Sequence, residues 1–582
     1  MTRIHLQGRR GALLLLLPVL TALAAAPAFA AGPASDDGVL RLHLMWYNDL
    51  HGHIAPEPAR FMNPEFPPPL GGGASAAAYI KEVRAKAAAA GEEVLLVDVG
   101  DFFQGTPIGT KTQGDAVIDF YNLLRPDFLV PGNHDFDLGR ENLERLVAKA
   151  EFPFVCANIV EQATGEIVDW CRPTMMLEYQ GVKIGVVGII TPSTGTMSFP
   201  ENIEGLDFLP MPETIVKYRD ILRGEGADLI FLAIHEGLPY DPQEGWRRIV
   251  GAEETETTQE QTGTYGSDHS YGGMNLMELV HEVPGLDFAV GGHTHRGYHH
   301  PWIDPVNHTM VFESFGNGSS LGHAILLIDK ATGTLLGYEP AVATGTLLTL
   351  FEDVIWPDAE TAAVIRPHQE RTEAAMKRVI GQTATALGRG GPGSNLVGNL
   401  VTDAMRTHFG ADFAFQNLGG LRADMPAGDI TAQDVFAVLP FGNELVEVRM
   451  DGRMLRRVIE RKVAGRSGGI CVSGVRMSYD PDRPDYDRVV LLEVGGEPWA
   501  PERIYKVIVT NFLMEGNSGL EFLTTVPAGD ITPTRVTTAE VLEAYIAKHT
   551  PVRVRVDDRW VETPGAPQAA YLAVPYLSES PQ

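Results

Sequence analysis

Pro131-Gly132-Asn133-His134-Asp135-Phe136-Asp137 follows the short apolar run Asp127-Phe128-Leu129-Val130, and the reading of the whole chain turns on this stretch. The apolar run reads as a buried strand. Gly132 is expected to let the backbone turn sharply at the strand end. Asn133 offers a neutral oxygen, His134 an imidazole, and Asp135 and Asp137 carboxylates. The same residue types serve in ordinary turns, so the stretch gains meaning from what stands around it. Asp49 and His51 follow the run 40–47, Asp101 follows 93–99, His235 follows 228–234, and His293 and His295 follow 286–291. Each falls just past an apolar, strand-like segment. Further strands are expected at 183–190, 309–315 and 323–328, with helices at 74–90, 114–124, 139–150, 212–223 and 273–282. Strand, loop and helix in alternation predict a layered α/β domain with helices on both faces of sheet. Ligand sites in such folds gather at strand ends.

Asp49, His51, Asp101, Asn133, His235, His293 and His295 therefore form a set of seven oxygen and nitrogen donors. The set is large enough for two metal ions if one carboxylate bridges them. Mixed imidazole and carboxylate donors suit zinc, manganese, iron or cobalt and disfavour a calcium site.

Composition bounds the rest. A chain of 582 residues is too long for one core, so two domains are expected. A net charge of -29 argues against a nucleic-acid polymer as ligand, which needs clustered Lys and Arg. Arg3, Arg9 and Arg10, the apolar residues 11–25 and Ala28-Phe29-Ala30 read as a signal peptide cleaved near Ala30. Export to the periplasm or medium is the expectation, with no membrane span and a monomeric chain. Cys156 and Cys171 could pair in an oxidising compartment, but spacing leaves the pairing open; Cys471 reads as a buried free thiol. Residues 241–272 form a long polar insertion, a disordered loop or a lid. Residues 351–380 read as a connecting helix between domains, and 561–582, with their Pro and Gly, as a weakly ordered tail.

Asn48-Asp49-Leu50-His51-Gly52, Gly100-Asp101, Gly132-Asn133-His134-Asp135, His235-Glu236-Gly237 and Gly292-His293-Thr294-His295 together resemble the calcineurin-like dinuclear metallophosphoesterases. Gly398-Asn399-Leu400, Asn417-Leu418-Gly419-Gly420-Leu421-Arg422 and Pro440-Phe441-Gly442-Asn443 resemble the C-terminal domain of the 5′-nucleotidase and UDP-sugar hydrolase family. The resemblance implies a four-layer α/β/β/α sandwich over residues 38–350 and a smaller α/β substrate domain over 381–560. It implies that Asp49, His51 and His295 hold one metal, that Asn133, His235 and His293 hold the other, and that Asp101 bridges. It gives His134 the transferring phosphoryl group or the leaving oxygen to serve, with Asp137 holding its other ring nitrogen. The alternative for Asp137 is capping of the following helix.

The implied substrate set is Arg389, Asn417, Gly419, Arg422, Phe441, Asn443, Phe512 and Ser518. Phe441 and Phe512 would stack on a flat base, unless both are core aromatics. Two departures from the family pattern stand out. Arg389 is the single Arg of the loop 388–393, displaced from its usual place. Ser518 stands where the family has an Asp for ribose hydroxyls. The expected activity is hydrolysis of nucleoside 5′-monophosphates, with UDP-sugars and 2′,3′-cyclic nucleotides as further candidates. Rival readings are a thiosulfohydrolase-like enzyme on the same scaffold and a catalytically silent nucleotide-binding surface protein.

Overall fold

Along β1 (Val39–Tyr47) every second side chain, Leu40, Leu42, Leu44 and Trp46, enters one core, while Met45 and Tyr47 enter another. A strand has period two, so a strand buried on both faces reads as a continuous apolar run. This computed structural model describes residues 38–576 apart from 60, 61, 64, 240, 241, 255–273, 441, 466–468, 515 and 575. The expected signal peptide lies outside the described residues, as do Phe441 and most of the polar insertion.

After β1 come α1 (Gly73–Ala90), β2 (Glu93–Asp98), α2 (Asp115–Leu124), β3 (Phe128–Leu129) and α3 (Arg140–Lys149). The chain then crosses to a second sheet. It contains β4 (Thr174–Tyr179), β5 (Val182–Ile190), β6 (Leu229–His235), β7 (Phe288–Gly291), β8 (Trp302–Ile303) and β9 (Met310–Glu313). Helices α4 (Met211–Gly224), α5 (Pro242–Glu254) and α6 (Leu276–Glu282) are threaded among these strands. The first sheet is completed by β10 (Ser320–Asp329), β11 (Thr334–Pro340) and β12 (Leu347–Thr349). Its order is β11-β10-β1-β2-β3 with β12 on β10; the second sheet runs β8-β9-β7-β6-β5-β4.

The inner core between the sheets takes Leu42, Val97, Phe231 and Leu326. Ile80, Leu96 and Phe120 pack outside the first sheet, and Ile215, Leu232 and Leu276 outside the second. The result is the four-layer α/β/β/α sandwich. β1, β2 and β3 are parallel, as are β5, β6, β7 and β9. Their carboxyl ends therefore share an edge within each sheet.

One buried polar chain links the two central strands of the first sheet. The Tyr79 hydroxyl meets His323 Nδ1 at 2.9 Å, His323 Nε2 meets His43 Nδ1 at 2.9 Å, and His43 Nε2 meets Glu92 at 2.7 Å. Donation from Tyr79 toward Glu92 gives every nitrogen of the chain a partner. Burial pushes His323 down to about 3.

The start of the polar insertion is not loop but α5, whose Trp246 and Ile249 pack on the core outside the second sheet. Two apolar anchors three residues apart suffice to dock a helix of otherwise polar composition. Cys156, Cys171 and Cys471 are free thiols, all buried. Among the described residues no helix is long and apolar enough to cross a membrane.

Within the expected connecting segment runs α7 (Ala359–Met376), capped by Asp358 and packed on α1 and α2. Beyond it, α8 (Leu396–Phe409), β13 (Phe413–Asn417), α9 (Ala432–Val438), β14 (Glu444–Asp451), α10 (Gly452–Val463), β15 (Ile470–Ser473), β16 (Ile504–Thr510), β17 (Ile531–Thr537) and α11 (Thr538–His549) build a second α/β unit. Its sheet order is β15-β13-β16-β14-β17. Thr431 caps α9 through a capping box with Asp434, as its sequence position suggests.

The tail departs from expectation. Val561–Glu562 pairs in parallel with the strand Val475–Tyr479, and Leu572 and Tyr576 are buried in the core of the second unit. Arg456, itself buried, donates to the Leu572 carbonyl at 2.7 Å and lies 4.3 Å from the Tyr576 ring. Pro and Gly keep the regular structure here short, at Val561–Glu562 and a 3-10 turn at Ala570–Leu572, but do not prevent docking, because the aromatic and aliphatic side chains anchor the segment.

Candidate metal centre

The seven donors converge from both sheets. Asp49, His51 and His295 bring ligand atoms within 4.8 Å of one another, as do Asp101, His235 and His293. Asp101 Oδ2 lies between the two groups, 3.7 Å from His51 Nε2 and 3.2 Å from His235 Nε2. Asn133 Oδ1 stands 3.1 Å from His235 Nε2 and 2.9 Å from His293 Nδ1, which places it with the second group.

Three observations fit this set to divalent cations. The first is tautomer: His51 Nδ1 bonds the Gln104 carbonyl at 2.6 Å and His235 Nδ1 the Val99 carbonyl at 2.8 Å. A carbonyl only accepts, so each Nδ1 carries a hydrogen and each Nε2 is the nitrogen turned toward the cluster. The second is charge state. Burial pushes His51, His293 and His295 down to about 4, 3 and 4, so these rings are neutral and able to ligate. His235 differs: burial opposes charge, but the Asp101 carboxylate outweighs it and raises the ring to about 10, while Asp101 is held well below the usual carboxylate range, so a cation bound there would take the place of the Nε2 proton. The third is backbone strain. Asp49, His51, Asp101, His293 and His295 all have positive φ, between 49° and 71°. Non-glycine residues reach this region at a cost of order 1 kcal/mol each or more, and such strain collects at functional sites. No thiolate contributes, so the donors match a pair of borderline to hard divalent cations.

His134 sits at the rim. Its Nδ1 is 2.9 Å from Asp137 Oδ2, and its backbone N–H donates to Asp101 Oδ1 at 2.8 Å. The ring lies edge-on to His51, 5.5 Å between centroids. Burial acts to lower its pKa, but Asp137 and Asp101 prevail and hold it up at about 10. The capping alternative for Asp137 does not hold: α3 begins after Gly139, which is its cap.

Gly132 needs a different explanation from the expected one. Its φ is -105°, ordinary extended backbone. Space is the constraint, since a Cβ there would lie 2.2 Å from Asp101 Oδ1 and 2.3 Å from the Asp101 nitrogen. Asp135, without an assigned role in the sequence, proves to be a brace. Fully buried, it accepts N–H bonds from Gly132 at 2.8 Å and from Asp101 and Phe102 at 3.0 Å each. It thus joins the loop of Asp101 to the loop of Asn133. Its place beside His134 was visible; the direction of its side chain was not.

The expected substrate residues are less uniform. Arg422 bonds the Gly419 carbonyl at 3.3 Å, and its charge adds to burial in lowering His295, so it lies within electrostatic reach of the metal centre. Arg389 is paired with Asp424 at 3.1 Å and reaches the Leu421 carbonyl at 3.3 Å, which keeps it beside Arg422. Asn417 is buried, its Oδ1 accepting from Gln416 at 2.8 Å. The Asn443 carbonyl accepts the Thr538 N–H. Phe512 packs, half-buried, against the core of the second unit, which is the core-aromatic alternative in part. Ser518 has φ 58°, and its carbonyl accepts from Lys462.

Comparison with known proteins gives two family matches. Residues 42–297 match the calcineurin-like phosphoesterases, and residues 379–525 match the 5′-nucleotidase C-terminal domain. Among curated relatives, Endonuclease YhcR of Bacillus subtilis is 25% identical over 87% of this chain, which spans 39% of that longer protein. Protein UshA of Yersinia enterocolitica is 27% identical over 91% of this chain and 96% of its own length. Among solved structures, a 5′-nucleotidase precursor from Thermus thermophilus is 26% identical, with a TM-score of 0.68 over 91% of this chain and 100% of that one.

Proposed function

Because the chain is a calcineurin-like metallophosphoesterase with a 5′-nucleotidase C-terminal domain, and so a phosphate ester hydrolase, we propose that its substrates are nucleoside 5′-monophosphates. The observation that carries this reading is the largely buried seven-residue cluster with the Asp137-oriented His134 at its rim and the Arg422 charge within electrostatic reach of His295. Two divalent cations held by Asp49, His51 and His295 and by Asn133, His235 and His293, with Asp101 between them, would activate a water and neutralise phosphoryl charge. With Nδ1 engaged by Asp137, His134 presents Nε2 to the phosphoryl or leaving oxygen. Held protonated, it can donate a charge-assisted hydrogen bond there and release its proton to the departing alkoxide. Arg422 grips phosphate, and the loops of Asn417, Asn443 and Phe512 receive the nucleoside. Export after cleavage near Ala30, and action on UDP-sugars and 2′,3′-cyclic nucleotides, belong to the same reading. Where the family has a carboxylate for the ribose diol, Ser518 offers only a hydroxyl, so changes to the sugar hydroxyls should be tolerated.

The test is a panel of AMP, UDP-glucose, 2′,3′-cyclic AMP and thiosulfate-bearing compounds with manganese, cobalt or zinc. Phosphate release from AMP is expected. Sulfate release with no turnover of any phosphoester would select the thiosulfohydrolase-like reading instead, and no turnover at all the silent binder.

A further inference from the structure

β9 supplies none of the seven donors, yet its last residue and the next one reach the three loops that carry five of them. Glu313 is fully buried. Its Oε2 accepts the Leu238 N–H at 2.7 Å, three residues after His235. Its Oε1 accepts the Thr294 hydroxyl at 2.7 Å and the Arg296 N–H at 3.0 Å. Thr294 sits between His293 and His295, so one carboxylate spans two ligand-bearing loops. Ser314 reaches a third. Its N–H and hydroxyl donate to Asn48 Oδ1 at 2.9 and 2.7 Å, and Asn48 Nδ2 donates to the Ser314 carbonyl at 2.9 Å and to Asp49 Oδ2 at 2.7 Å.

A purely architectural role does not call for this chemistry. Burying a carboxylate is expensive, and an apolar residue of similar volume commonly serves stability as well or better. What the carboxylate offers is acceptance alone, from three donors on two loops at once. Those loops are the strained ones: Asp49, His293 and His295 have φ of 51°, 71° and 56°. Strained backbone persists only where its surroundings over-determine it. Glu313 and Ser314 are that surrounding on one side of the cluster, as Asp135 is on the other.

We propose that Glu313, directly, and Ser314, through Asn48, are positioning residues that set the spacing of Asp49, His235, His293 and His295 for divalent cations. This rests on the reading of those side chains as metal donors. Gln at 313 keeps the volume but turns an NH2 group toward one of the N–H donors.

The experiment uses full-length protein stripped of metal and titrated with cobalt(II), read by its visible spectrum and by phosphate release from AMP. For Glu313→Gln, the cobalt concentration for half-saturation should rise about 10- to 100-fold, the usual effect of losing an outer partner of a metal site. Saturating cobalt should restore kcat to within a few-fold, and the stripped protein should melt close to wild type. Asn48→Ala, which removes every bond between Ser314 and Asp49, should weaken chiefly one of two cobalt equivalents, the one at Asp49. Wild-type cobalt affinity and spectrum in Glu313→Gln would overturn the proposal, whatever its melting temperature. If Glu313→Gln does not fold, unchanged binding of both equivalents by Asn48→Ala overturns it instead. A wild-type chain that binds no cobalt and hydrolyses no ester sinks the functional reading itself; an active, metal-binding wild type with unaffected variants sinks this inference alone.

Discussion

At the scale of single residues, the stretch from Gly132 to Asp137 divides its work among four side chains and one missing one. Asn133 joins the donors, Asp135 braces two loops, and Asp137 holds His134 at 2.9 Å. Gly132 contributes the absence of a Cβ beside Asp101. If His134 serves the phosphoryl transfer rather than the metals, His134→Ala should lower kcat about 10²- to 10⁴-fold, the range for general acid–base groups. Metal content by elemental analysis should stay at the wild-type value. Asp137→Asn, which keeps the ring but not its orienting charge, should cost less. Loss of metal in His134→Ala would mean that the ring belongs to the ligand set instead.

Elements carry predictions of a different kind. β1 and β10 are joined by the His43–His323 contact inside the Tyr79-to-Glu92 chain. His323 is pushed down to about 3 by burial, with the His43 ring as the lesser cause. Its folded pKa lies below the unfolded value near 6.5, so the unfolded chain takes up the proton first. Stability from this residue is whole above pH 6.5 and drains as pH falls from there toward 3. At pH 5 the loss is about 2 kcal/mol, from 1.36 kcal/mol per unit. Melting of wild type should therefore fall more steeply between pH 7 and pH 5 than melting of His323→Asn; parallel curves would contradict the assignment. In the second unit, the tail acts as an element although its regular structure is only a two-residue strand and one 3-10 turn. Leu572→Ala should destabilise by about 2–5 kcal/mol, as for other buried leucines. Denaturant unfolding would detect it, and a change below about 0.5 kcal/mol would mark the tail as a passive appendage.

On the scale of the whole molecule, metal and fold should be coupled. The donor loops hold like charges and positive φ together in a buried space, and cations bound there stabilise the native state alone. Chelation should lower the melting temperature and abolish turnover. At metal concentrations about a thousandfold above Kd the difference approaches about 4 kcal/mol. Returning manganese or cobalt should restore both together, as followed by calorimetry and phosphate release. Recovery of activity with an unchanged melting temperature would mean that the cations bind weakly or at the surface.

Local pattern carried most of the first domain. Strands buried on both faces are long apolar runs, and a polar residue just past each run is conspicuous, so β1, β2, β6 and β7 were legible, as were the positions of the seven polar side chains that the fold gathers at their ends. What the sequence by itself could not decide involves residues distant along the chain. Whether Gly132 is there for its φ or for its missing Cβ depends on Asp101, which approaches from the neighbouring strand end. Whether Asp135 and Glu313 are solvated acids or braces depends on which N–H groups surround them, and those come from loops up to 75 residues away. The docking of 561–576 rests on a core assembled from residues that precede it by about a hundred positions. Hydrophobic period and turn chemistry are local quantities, readable in any chain. The acceptor for a given donor is a property of the folded arrangement, and only the tertiary structure supplied it.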